Sequence, residues 1–476
     1  MYINKRIIAR LDVKGNRLIK GIRFEGLRVI GDPFEHAIKY FHQGVDEIVY
    51  LDSVASLYGR NSLFDVLKHT SREVFIPLTA GGGIRNVEDA RRLLASGADK
   101  VAVNTACIER PELISELARA FGEQCVVVSI QARRKFNTNE WECMKEAGRE
   151  KSGKNVFDWI KEVQDLGAGE ILLTSVDQDG TCTVPDFELN EKASQIAKIP
   201  LIVGGGFKLN SDILSACQNQ NISAISIGAS IHNELISISD IKQNLLKNKI
   251  NVRSSPAKIS DEVDFNLNKF SIGVIDYGMG NQQSLINSLN EFKLNVTLTD
   301  NLKELDKQDI LALPGVGSFP NGMNQLKERN LVDFLRNYVS EKRPLIGICL
   351  GMQMLFEKGY EFEITEGLNL VKGKVLKMDN NLVNNSDILL PHIGWREVYT
   401  ENNSYKNLVK YQYFVHSYAA DEVNQKDILY SFYYYNKKFV AAIKTESIIA
   451  FQFHPERSGF EGKCLLHKAI NDLLDN

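Results

Sequence analysis

The stretch Leu78-Thr-Ala-Gly-Gly-Gly-Ile84 returns later in the chain as Leu201-Ile-Val-Gly-Gly-Gly-Phe207. The two copies lie 123 residues apart (201 − 78), and Asp46-Glu-Ile-Val-Tyr50 returns as Gly169-Glu-Ile-Leu-Leu173 at the same offset. One offset shared by separate stretches indicates a duplicated structural unit. We therefore predict two similar halves related by a pseudo-twofold axis.

Short apolar runs alternate with amphipathic helical patterns throughout residues 1–246. Strands that alternate with helices pair in parallel, and eight such repeats close into a barrel. The sequence therefore predicts a (βα)8 TIM barrel over residues 1–246. The predicted strands are Arg6–Asp12, Glu47–Asp52, Phe75–Ala80, Lys100–Asn104, Cys125–Gln131, Glu170–Thr174, Leu201–Gly204 and Ala224–Gly228.

The character of the chain changes after the predicted barrel. Residues 247–269 are polar and aperiodic and contain Pro256, which is typical of a linker. New apolar runs then follow, and they predict a separate open-sheet α/β domain over residues 270–476. Its predicted strands are Ser271–Asp276, Ile310–Leu313, Pro344–Ile348 and Ile448–Phe453.

Composition excludes several classes of protein. The chain has 476 residues, 43% hydrophobic and 25% charged, as in ordinary globular proteins. A net charge of −3 gives no reason to expect nucleic acid as a partner, and no apolar run is long enough to span a membrane. The seven cysteines include no C-x-x-C pair, so we expect a reducing, cytoplasmic location. We expect no metal and no cofactor, because no ligand cluster or nucleotide-binding fingerprint is present.

A cysteine lies between two glycines in Gly347-Ile-Cys349-Leu-Gly351, after an apolar run and before a helical pattern. Most cysteines beside apolar runs are inert core residues. Small neighbours at this spacing, however, permit the strained strand–turn–helix that exposes a nucleophile. The turn also places the sulfur at a helix N-terminus, where the partial positive charge favours the thiolate.

A second element, His454-Pro-Glu456, follows the apolar run Ile448–Phe453. A histidine can take the thiol proton, and a carboxylate can fix the imidazole tautomer and stabilise its cation. A lone histidine here would more often be an ordinary surface residue. Together with the elbow it predicts a Cys349–His454–Glu456 triad.

Four further motifs accompany the triad. They are Asp276-Tyr-Gly-Met-Gly-Asn281, Leu313-Pro-Gly-Val-Gly-Ser318, Pro391-His-Ile-Gly-Trp395 and Tyr413-Phe-Val-His-Ser-Tyr418. With these motifs, residues 270–472 resemble the class I glutamine amidotransferases, and most closely the glutaminase subunit of the imidazole glycerol phosphate synthase family. The resemblance implies glutamine as substrate and Cys349, His454 and Glu456 as the triad. It also implies oxyanion-binding backbone N–H groups at Gly315, Gly317 and Leu350, and glutamine contacts from Gln353, Ser417 and Tyr418.

Glycine-rich turns follow predicted strands in twin positions of the two half-barrels. Backbone N–H groups can approach an anion there, and helix N-termini add a favourable dipole. Such a turn can equally be only a tight turn, but its recurrence favours two phosphate sites and a small molecule phosphorylated at both ends. The expected phosphate and substrate residues are Lys20 (closing over one phosphate), Asp52, Gly82, Gly83, Asn104, Thr105, Asp179, Gly205, Gly206, Ala229 and Ser230.

Residues 1–245 resemble the cyclase subunit of the same synthase family. The resemblance implies that Arg6, Glu47, Lys100 and Glu170 ring the N-terminal barrel mouth and gate ammonia entry. Paired charges there can also merely seal a barrel. Trp395 and Tyr413 are implied on the glutaminase side of that contact. The two domains are expected to dock within one chain or between chains.

The chain departs from the cyclase pattern at two positions. The family uses aspartates at the ends of strands one and five as general acid and base; Asp12 is present, but Gln131 stands in the second place. Glutamine has no titratable proton, so Gln131 can only orient the substrate. Arg10 stands where the family has a small residue, on the face of the strand that carries Asp12. A buried guanidinium requires a partner, which Asp12, Asp52 or Asp177 could supply.

Two hypotheses follow for the barrel. In the first, it works as an imidazole glycerol phosphate synthase of histidine biosynthesis, with Asp12 and Asp179 carrying the acid–base load. In the second, it no longer cyclises and only delivers ammonia, as in the branch of this family that serves amidation of nucleotide-activated sugars for surface polysaccharide. The retained phosphate sites favour the first hypothesis, whereas Gln131 and Arg10 favour the second.

Overall fold

The computed structural model describes residues 4–55, 63–254, 265–279, 281–378, 388–406 and 408–475. Residues 255–264 of the expected linker and Gly280 of the first glutaminase motif lie outside these ranges. No helix in the described ranges has the length and apolar character needed to cross a membrane.

The first half of the chain forms the predicted closed barrel. Its strands are β1 (Arg6–Lys14), β2 (Arg17–Ile22), β3 (Glu25–Gly31), β4 (Glu47–Asp52), β5 (Leu78–Gly81), β6 (Lys100–Val103), β7 (Val126–Arg134), β8 (Trp141–Lys145), β9 (Glu150–Asn155), β10 (Glu170–Ser175), β11 (Leu201–Gly204) and β12 (Ile222–Ile227). In the described part of the chain, eight of them pair in parallel in the order β1, β4, β5, β6, β7, β10, β11, β12, and β12 pairs with β1 to close the ring. The prediction of a TIM barrel is confirmed.

Helices connect successive barrel strands and cover the outside. They are α1 (Pro33–His42), α2 (Leu63–Glu73), α3 (Val87–Ala95), α4 (Thr105–Glu109), α5 (Glu112–Phe121), α6 (Val156–Asp165), α7 (Phe187–Ile196), α8 (Asn210–Gln218), α9 (Ala229–His232) and α10 (Ile238–Lys247). Helix α5 buries Leu113, Leu117, Ala118 and Phe121, the spacing of one helical face. Several helix N-termini are capped by side chains; Asp32, for example, accepts two N–H groups of the first turn of α1.

The predicted strand Phe75–Ala80 begins later than expected, at Leu78. Pro77 precedes it and has no N–H to donate to a neighbouring strand. The other barrel strands start within two residues of their predicted positions.

The barrel interior changes from charged to apolar and back to charged along its axis. Alternate residues of β1 face inward, in the order Arg6, Ile8, Arg10 and Asp12. Ile8 belongs to an apolar cluster with Val49, Val127, Leu172 and other inward-facing residues. The interior apolar layer therefore separates Arg6, at the N-terminal end, from Arg10 and Asp12, at the C-terminal end.

Two hairpins stand at the C-terminal end of the barrel. One, β2–β3, follows β1, and the other, β8–β9, follows β7. Phe24, in the turn of the first hairpin, packs against Met144 of the second and against Val176. The hairpins therefore meet over the barrel mouth.

The expected linker begins as ordered chain packed against the barrel. Lys5 donates its backbone N–H to Asn251 at 2.8 Å, and Val252 forms a parallel bridge with Lys5. Arg253 donates to the Asp46 carboxylate at 2.9 Å. Residues 251–253 thus return to the N-terminal face of the barrel.

The second half forms the predicted open sheet. Its strands are β13 (Ser271–Ile275), β14 (Asn295–Thr299), β15 (Ile310–Leu313), β16 (Leu345–Ile348), β17 (Lys358–Gly359), β18 (Thr365–Glu366), β19 (Lys374–Lys377), β20 (His392–Glu397), β21 (Tyr411–His416), β22 (Tyr418–Asp421), β23 (Ile428–Tyr434), β24 (Lys437–Lys444) and β25 (Ile448–Phe451). Its helices are α11 (Gln282–Glu291), α12 (Leu302–Leu305), α13 (Phe319–Glu328), α14 (Leu331–Ser340), α15 (Leu350–Met354) and α16 (Gly459–Leu474). The main sheet has the order β14-β13-β15-β16-β25-β24-β23, in which β24 runs antiparallel to both of its neighbours, β25 and β23.

A two-stranded ribbon, β20–β21, joins this domain to the barrel. Its residues Ile393, Trp395, Tyr413 and Val415 belong to the hydrophobic core of the barrel domain. Phe414, on the ribbon's other face, belongs to the core of the second domain. The ribbon is therefore the partition between the two domains.

Candidate active site

Cys349 occupies the strained turn that the sequence predicts between β16 and α15. Its φ is 53° and its ψ is −109°, a backbone conformation that side-chain-bearing residues rarely adopt. The flanking glycines are required by close approach: a Cβ at Gly351 would collide with the backbone of Leu313, and one at Gly347 would lie 3.1 Å from Met352 Cα. The elbow therefore depends on both glycines.

The sheet brings the histidine of the triad to the elbow. Strand β16 pairs with β25, with Ile348 opposite Phe451, and the Cys349 N–H donates to the Phe451 carbonyl oxygen at 2.7 Å. His454 follows three residues after Phe451, and its Nδ1 lies 2.7 Å from Glu456 Oε1. Neighbouring parallel strands thus bring Cys349 and His454, the expected nucleophile and base, to the same sheet edge.

The environment of His454 favours its charged form. Burial lowers the pKa of the imidazole, but the Cys349 sulfur and the Glu456 carboxylate outweigh burial and raise this pKa well above its ordinary value. An imidazolium beside a sulfur stabilises the thiolate. Cys349 exposes only 3% of its surface, so the site is closed in this structure.

Two glutamines connect the triad to the expected glutamine-binding residues. Gln452 Nε2 donates to the Cys349 sulfur at 3.8 Å. Gln353 Nε2 donates to Gln452 Oε1 at 3.0 Å and to the Tyr418 carbonyl oxygen at 2.9 Å. Ser417 is buried, and its hydroxyl has no hydrogen-bond partner among the described residues. Sequence reasoning missed Gln452, although its place two residues before His454 was the available signal.

The expected oxyanion residues surround the elbow. The Leu350 N–H donates to the Gly315 carbonyl oxygen at 3.3 Å. Gly317 has a φ of +141°, and a Cβ at Gly315 would lie 2.8 Å from Leu350 Cβ. In this structure the Leu350 N–H is therefore engaged by Gly315.

The four expected gate residues form one buried network at the N-terminal mouth of the barrel. Arg6 pairs with Glu47 at 2.8 Å and also with Glu170. Lys100 pairs with Glu47 at 2.7 Å and with Glu170 at 2.6 Å. All four side chains are buried. Two cations and two anions thus alternate around the ring.

The glutaminase ribbon covers this ring. Trp395 Nε1 donates to the Asp46 carbonyl oxygen at 3.1 Å. Tyr413 is buried, and burial, reinforced by Glu47, raises the pKa of its hydroxyl well above the usual value. Trp395 and Tyr413 thus lie on the glutaminase side of the gate within a single chain.

Two cavities open at the C-terminal end of the barrel, one in each half. The larger, of about 240 Å³, is lined by Asp52, Gly82, Gly83, Asn104, Thr105 and Gln131 among others. The smaller, of about 20 Å³, is lined by Asp179, Gly205, Gly206, Ala229 and Ser230 among others. Arg10 lines both cavities and stands at their boundary.

Arg10 has Asp12 as its partner. Its Nε donates to Asp12 at 2.8 Å, and its Nη1 donates to the Thr174 hydroxyl at 3.1 Å. Lys20, expected over a phosphate, lies instead between Asp12 at 2.7 Å and Asp179 at 2.8 Å. Burial raises the pKa of Asp12, but the charges of Arg10 and Lys20 outweigh it and hold this pKa well below its usual range. Asp12 is therefore a carboxylate held by two cations.

No three histidine, cysteine or acidic side chains gather in the described ranges as a metal ion would require.

A (βα)8 barrel docked on a cysteine-elbow domain with an imidazole–carboxylate pair defines an enzyme of the glutamine amidotransferase class. The family model "Histidine biosynthesis protein" matches residues 6–237, and the model "Glutamine amidotransferase class-I" matches residues 273–470. The chain belongs to the imidazole glycerol phosphate synthase family.

Three relatives illustrate this membership, each named imidazole glycerol phosphate synthase subunit HisF. The protein of Legionella pneumophila is 56% identical over 203 residues, which are 43% of this chain and 95% of the relative. That of Lactococcus lactis subsp. lactis is 45% identical over 251 residues, 53% of this chain and 97% of the relative. That of Prochlorococcus marinus (strain MIT 9312) is 44% identical over 249 residues, 52% of this chain and 97% of the relative. Each relative is thus covered almost completely by about half of this chain.

Proposed function

We propose that the chain hydrolyses glutamine at Cys349 and passes the ammonia through the Arg6–Lys100 gate into its own barrel. The ribbon β20–β21 carries the proposal. On one side of the ribbon lies the triad domain, and on the other lies the charged ring of the barrel. Ammonia released by the triad would therefore cross this thin partition, and then the charged ring and the apolar layer inside the barrel.

The geometry suits hydrolysis through a thioester. The Cys349 thiolate attacks the side-chain carboxamide carbon of glutamine, and His454 protonates the departing nitrogen, which leaves as ammonia. His454 then takes a proton from water, which attacks the thioester and releases glutamate. Glu456 keeps the imidazole oriented through both steps.

The oxyanion of each tetrahedral intermediate needs N–H donors at about 3 Å. We assign these donors to Leu350 and the Gly315–Gly317 loop. The Leu350 N–H is now held by Gly315, so glutamine binding has to release it. Gln353, Ser417 and Tyr418 are assigned to the amino-acid end of the substrate.

In the barrel, we propose that ammonia reacts with the bisphosphorylated ribulosyl-formimino ribonucleotide of histidine biosynthesis. The products would be imidazole glycerol phosphate and aminoimidazole carboxamide ribotide. The two cavities, one in each half-barrel, suit the two phosphate ends. Asp12, Asp179 and Gln131 lie at or near the reacting centre in this proposal.

A second candidate function is a barrel that delivers ammonia without cyclising. The observation in its favour is that Asp12 is held by both Arg10 and Lys20, while Gln131 offers no proton. Ammonia would then leave the mouth for another acceptor, such as a nucleotide-activated sugar in surface polysaccharide biosynthesis.

One assay series tests both functions. The purified chain is given glutamine and the ribulosyl substrate, while glutamate formation and loss of substrate absorbance are followed. Cys349→Ala should abolish glutamate formation, but turnover with ammonium chloride should persist. Glutamate formation at the wild-type rate by Cys349→Ala would refute the glutaminase assignment. Glutamine hydrolysis without loss of absorbance, with ammonium chloride as well, would favour the second candidate.

A further inference from the structure

The turn between β8 and β9 places an acidic side chain at the larger barrel cavity. Glu146, Ala147 and Gly148 all have left-handed backbones, with φ of 49°, 53° and 78°. The Glu146 N–H donates to the Thr105 hydroxyl at 3.1 Å, which fixes the turn against the start of α4. The hairpin thereby closes one side of the cavity.

The same hairpin brings this turn back toward Gln131. Strand β8 runs antiparallel to β7, with Met144 opposite Gln131. Glu146 follows two residues after Met144, and both Glu146 and Gln131 line the cavity. A carboxylate that the family has on the strand is thus absent there, and another carboxylate is present on the neighbouring hairpin.

Within the described ranges, three acidic residues line the cavity, and their carboxylates differ in their hydrogen-bond partners. Glu109 is paired with Lys145 at 2.7 Å. Asp52 accepts the Val54 N–H at 3.0 Å. In the described part of the chain, Glu146 Oε2 is buried without any hydrogen-bond partner. Glu146 therefore presents a buried carboxylate oxygen to a ligand in this cavity.

Other unpartnered polar atoms point to a ligand at the same place. Gln131 is only 8% exposed, and its Oε1 has no partner among the described residues. Both polar side-chain atoms of Asn104 are likewise buried and unpartnered within those ranges. Leaving a buried polar atom unpaired is unfavourable, so the cluster is expected to be satisfied by a bound molecule.

We propose that Glu146 is the acid–base carboxylate of this barrel and takes the place of the one missing at Gln131. The inference rests on the cyclase function proposed above. When ammonia adds to the ribulosyl carbonyl carbon, a C–N bond forms, the C=O π bond breaks, and one proton passes from the nitrogen to the alkoxide oxygen to give a carbinolamine. Glu146 accepts a second proton from this nitrogen and gives it to the carbinol hydroxyl, which leaves as water while the C=N bond forms. Glu146 ends the step ionised, as it began.

The experiment uses the full chain with ammonium chloride and the ribulosyl substrate, which removes the glutaminase from the measurement. Glu146→Gln is expected to lower kcat 10²–10⁴-fold, the usual contribution of a general acid–base group. KM should change little. Glu150→Gln, on the same hairpin but exposed and outside the cavity, is the matched control and should keep the wild-type rate. In the double variant Glu146→Gln with Gln131→Asp, which returns a carboxylate to the cavity, kcat should recover at least tenfold.

Glutamine hydrolysis by the same samples reports that each variant is folded. Glu146→Asn is a second neutral variant, suited to a left-handed turn, in case the glutamine variant does not fold. An unchanged kcat in the neutral variants, with an active wild type, would overturn the role of Glu146 alone. A wild type that fails to turn over with ammonium chloride would overturn the cyclase function and, with it, this role.

Discussion

The Asp99 carboxylate accepts a hydrogen bond from Arg457 Nε at 3.0 Å across the domain interface. Asp99 immediately precedes Lys100 of the proposed gate, and Arg457 immediately follows Glu456 of the proposed triad. Asn281 also donates to Asp99, at 2.9 Å. One buried ion pair thus joins the neighbour of Lys100 in the barrel to the neighbour of Glu456 in the second domain.

Asp99→Asn should impair the glutaminase and the interface together. It leaves the buried Arg457 guanidinium without its counter-ion, and breaking such a pair costs about 3–5 kcal/mol. We expect a lower kcat for glutamine hydrolysis and a lower midpoint of urea unfolding. The control is Glu446→Gln, which breaks the exposed pair with Lys342 and should cost under about 1 kcal/mol. Equal effects of the two substitutions would contradict the special role of Asp99.

Lys100→Met should uncouple the two reactions. The substitution leaves Glu47 and Glu170 with Arg6 as their remaining cation, so the gate ring loses its alternation of charge. Glutamine hydrolysis should continue, whereas the ratio of barrel product to glutamate should fall several-fold as ammonia escapes. Parallel assays of glutamate and of substrate absorbance measure this ratio. An unchanged ratio would argue that ammonia does not pass this ring.

Glu361 should make the free energy of unfolding fall as the pH rises. Burial raises its pKa to about 8, although its carboxylate accepts the Phe319 N–H at 2.7 Å. The unfolded chain loses this proton near pH 4.3. Between that pH and about 8 the folded state holds a proton that the unfolded state does not, so the stability falls as pH rises through this window.

Glu361→Gln removes this titration. The loss of unfolding free energy between pH 5 and 8.5 should therefore be smaller in the variant, by up to a few kcal/mol. Urea unfolding at the two pH values measures the difference. Parallel pH dependences in variant and wild type would show that Glu361 does not titrate as inferred.

Arg10→Ala should release Asp12 from one of its two cations. The pKa of Asp12 should rise toward its ordinary value, because Lys20 alone then opposes the effect of burial. If Asp12 takes part in catalysis, turnover with ammonium chloride should increase. Lys20→Ala removes the other cation but also takes away a partner of Asp179. Comparison of the two variants therefore separates the effect of Arg10 on Asp12 from that of Lys20. A fall in turnover for Arg10→Ala would mean that Arg10 itself contacts the substrate.

Local patterns predicted the architecture and the triad. Alternating apolar runs and helical periods predicted the barrel, and the glycines around Cys349 predicted the elbow. The likeness of the chain to a known family located Arg6, Glu47, Lys100 and Glu170, which form one ring in the structure. Gln452 was not predicted, because its contacts with Cys349 and Gln353 depend on how segments about 100 residues apart meet in the fold.

The sequence by itself determined the two folds and the chemistry of the nucleophile, since these depend on the order and spacing of nearby residues. Only the tertiary structure decided which of three acids pairs with Arg10, that Lys20 bridges Asp12 and Asp179, and that Glu146 reaches the cavity of Gln131. It also decided that Asp99 meets Arg457, 358 positions away. These contacts depend on how segments far apart in the sequence pack against each other. Short-range sequence patterns carry no information about that packing.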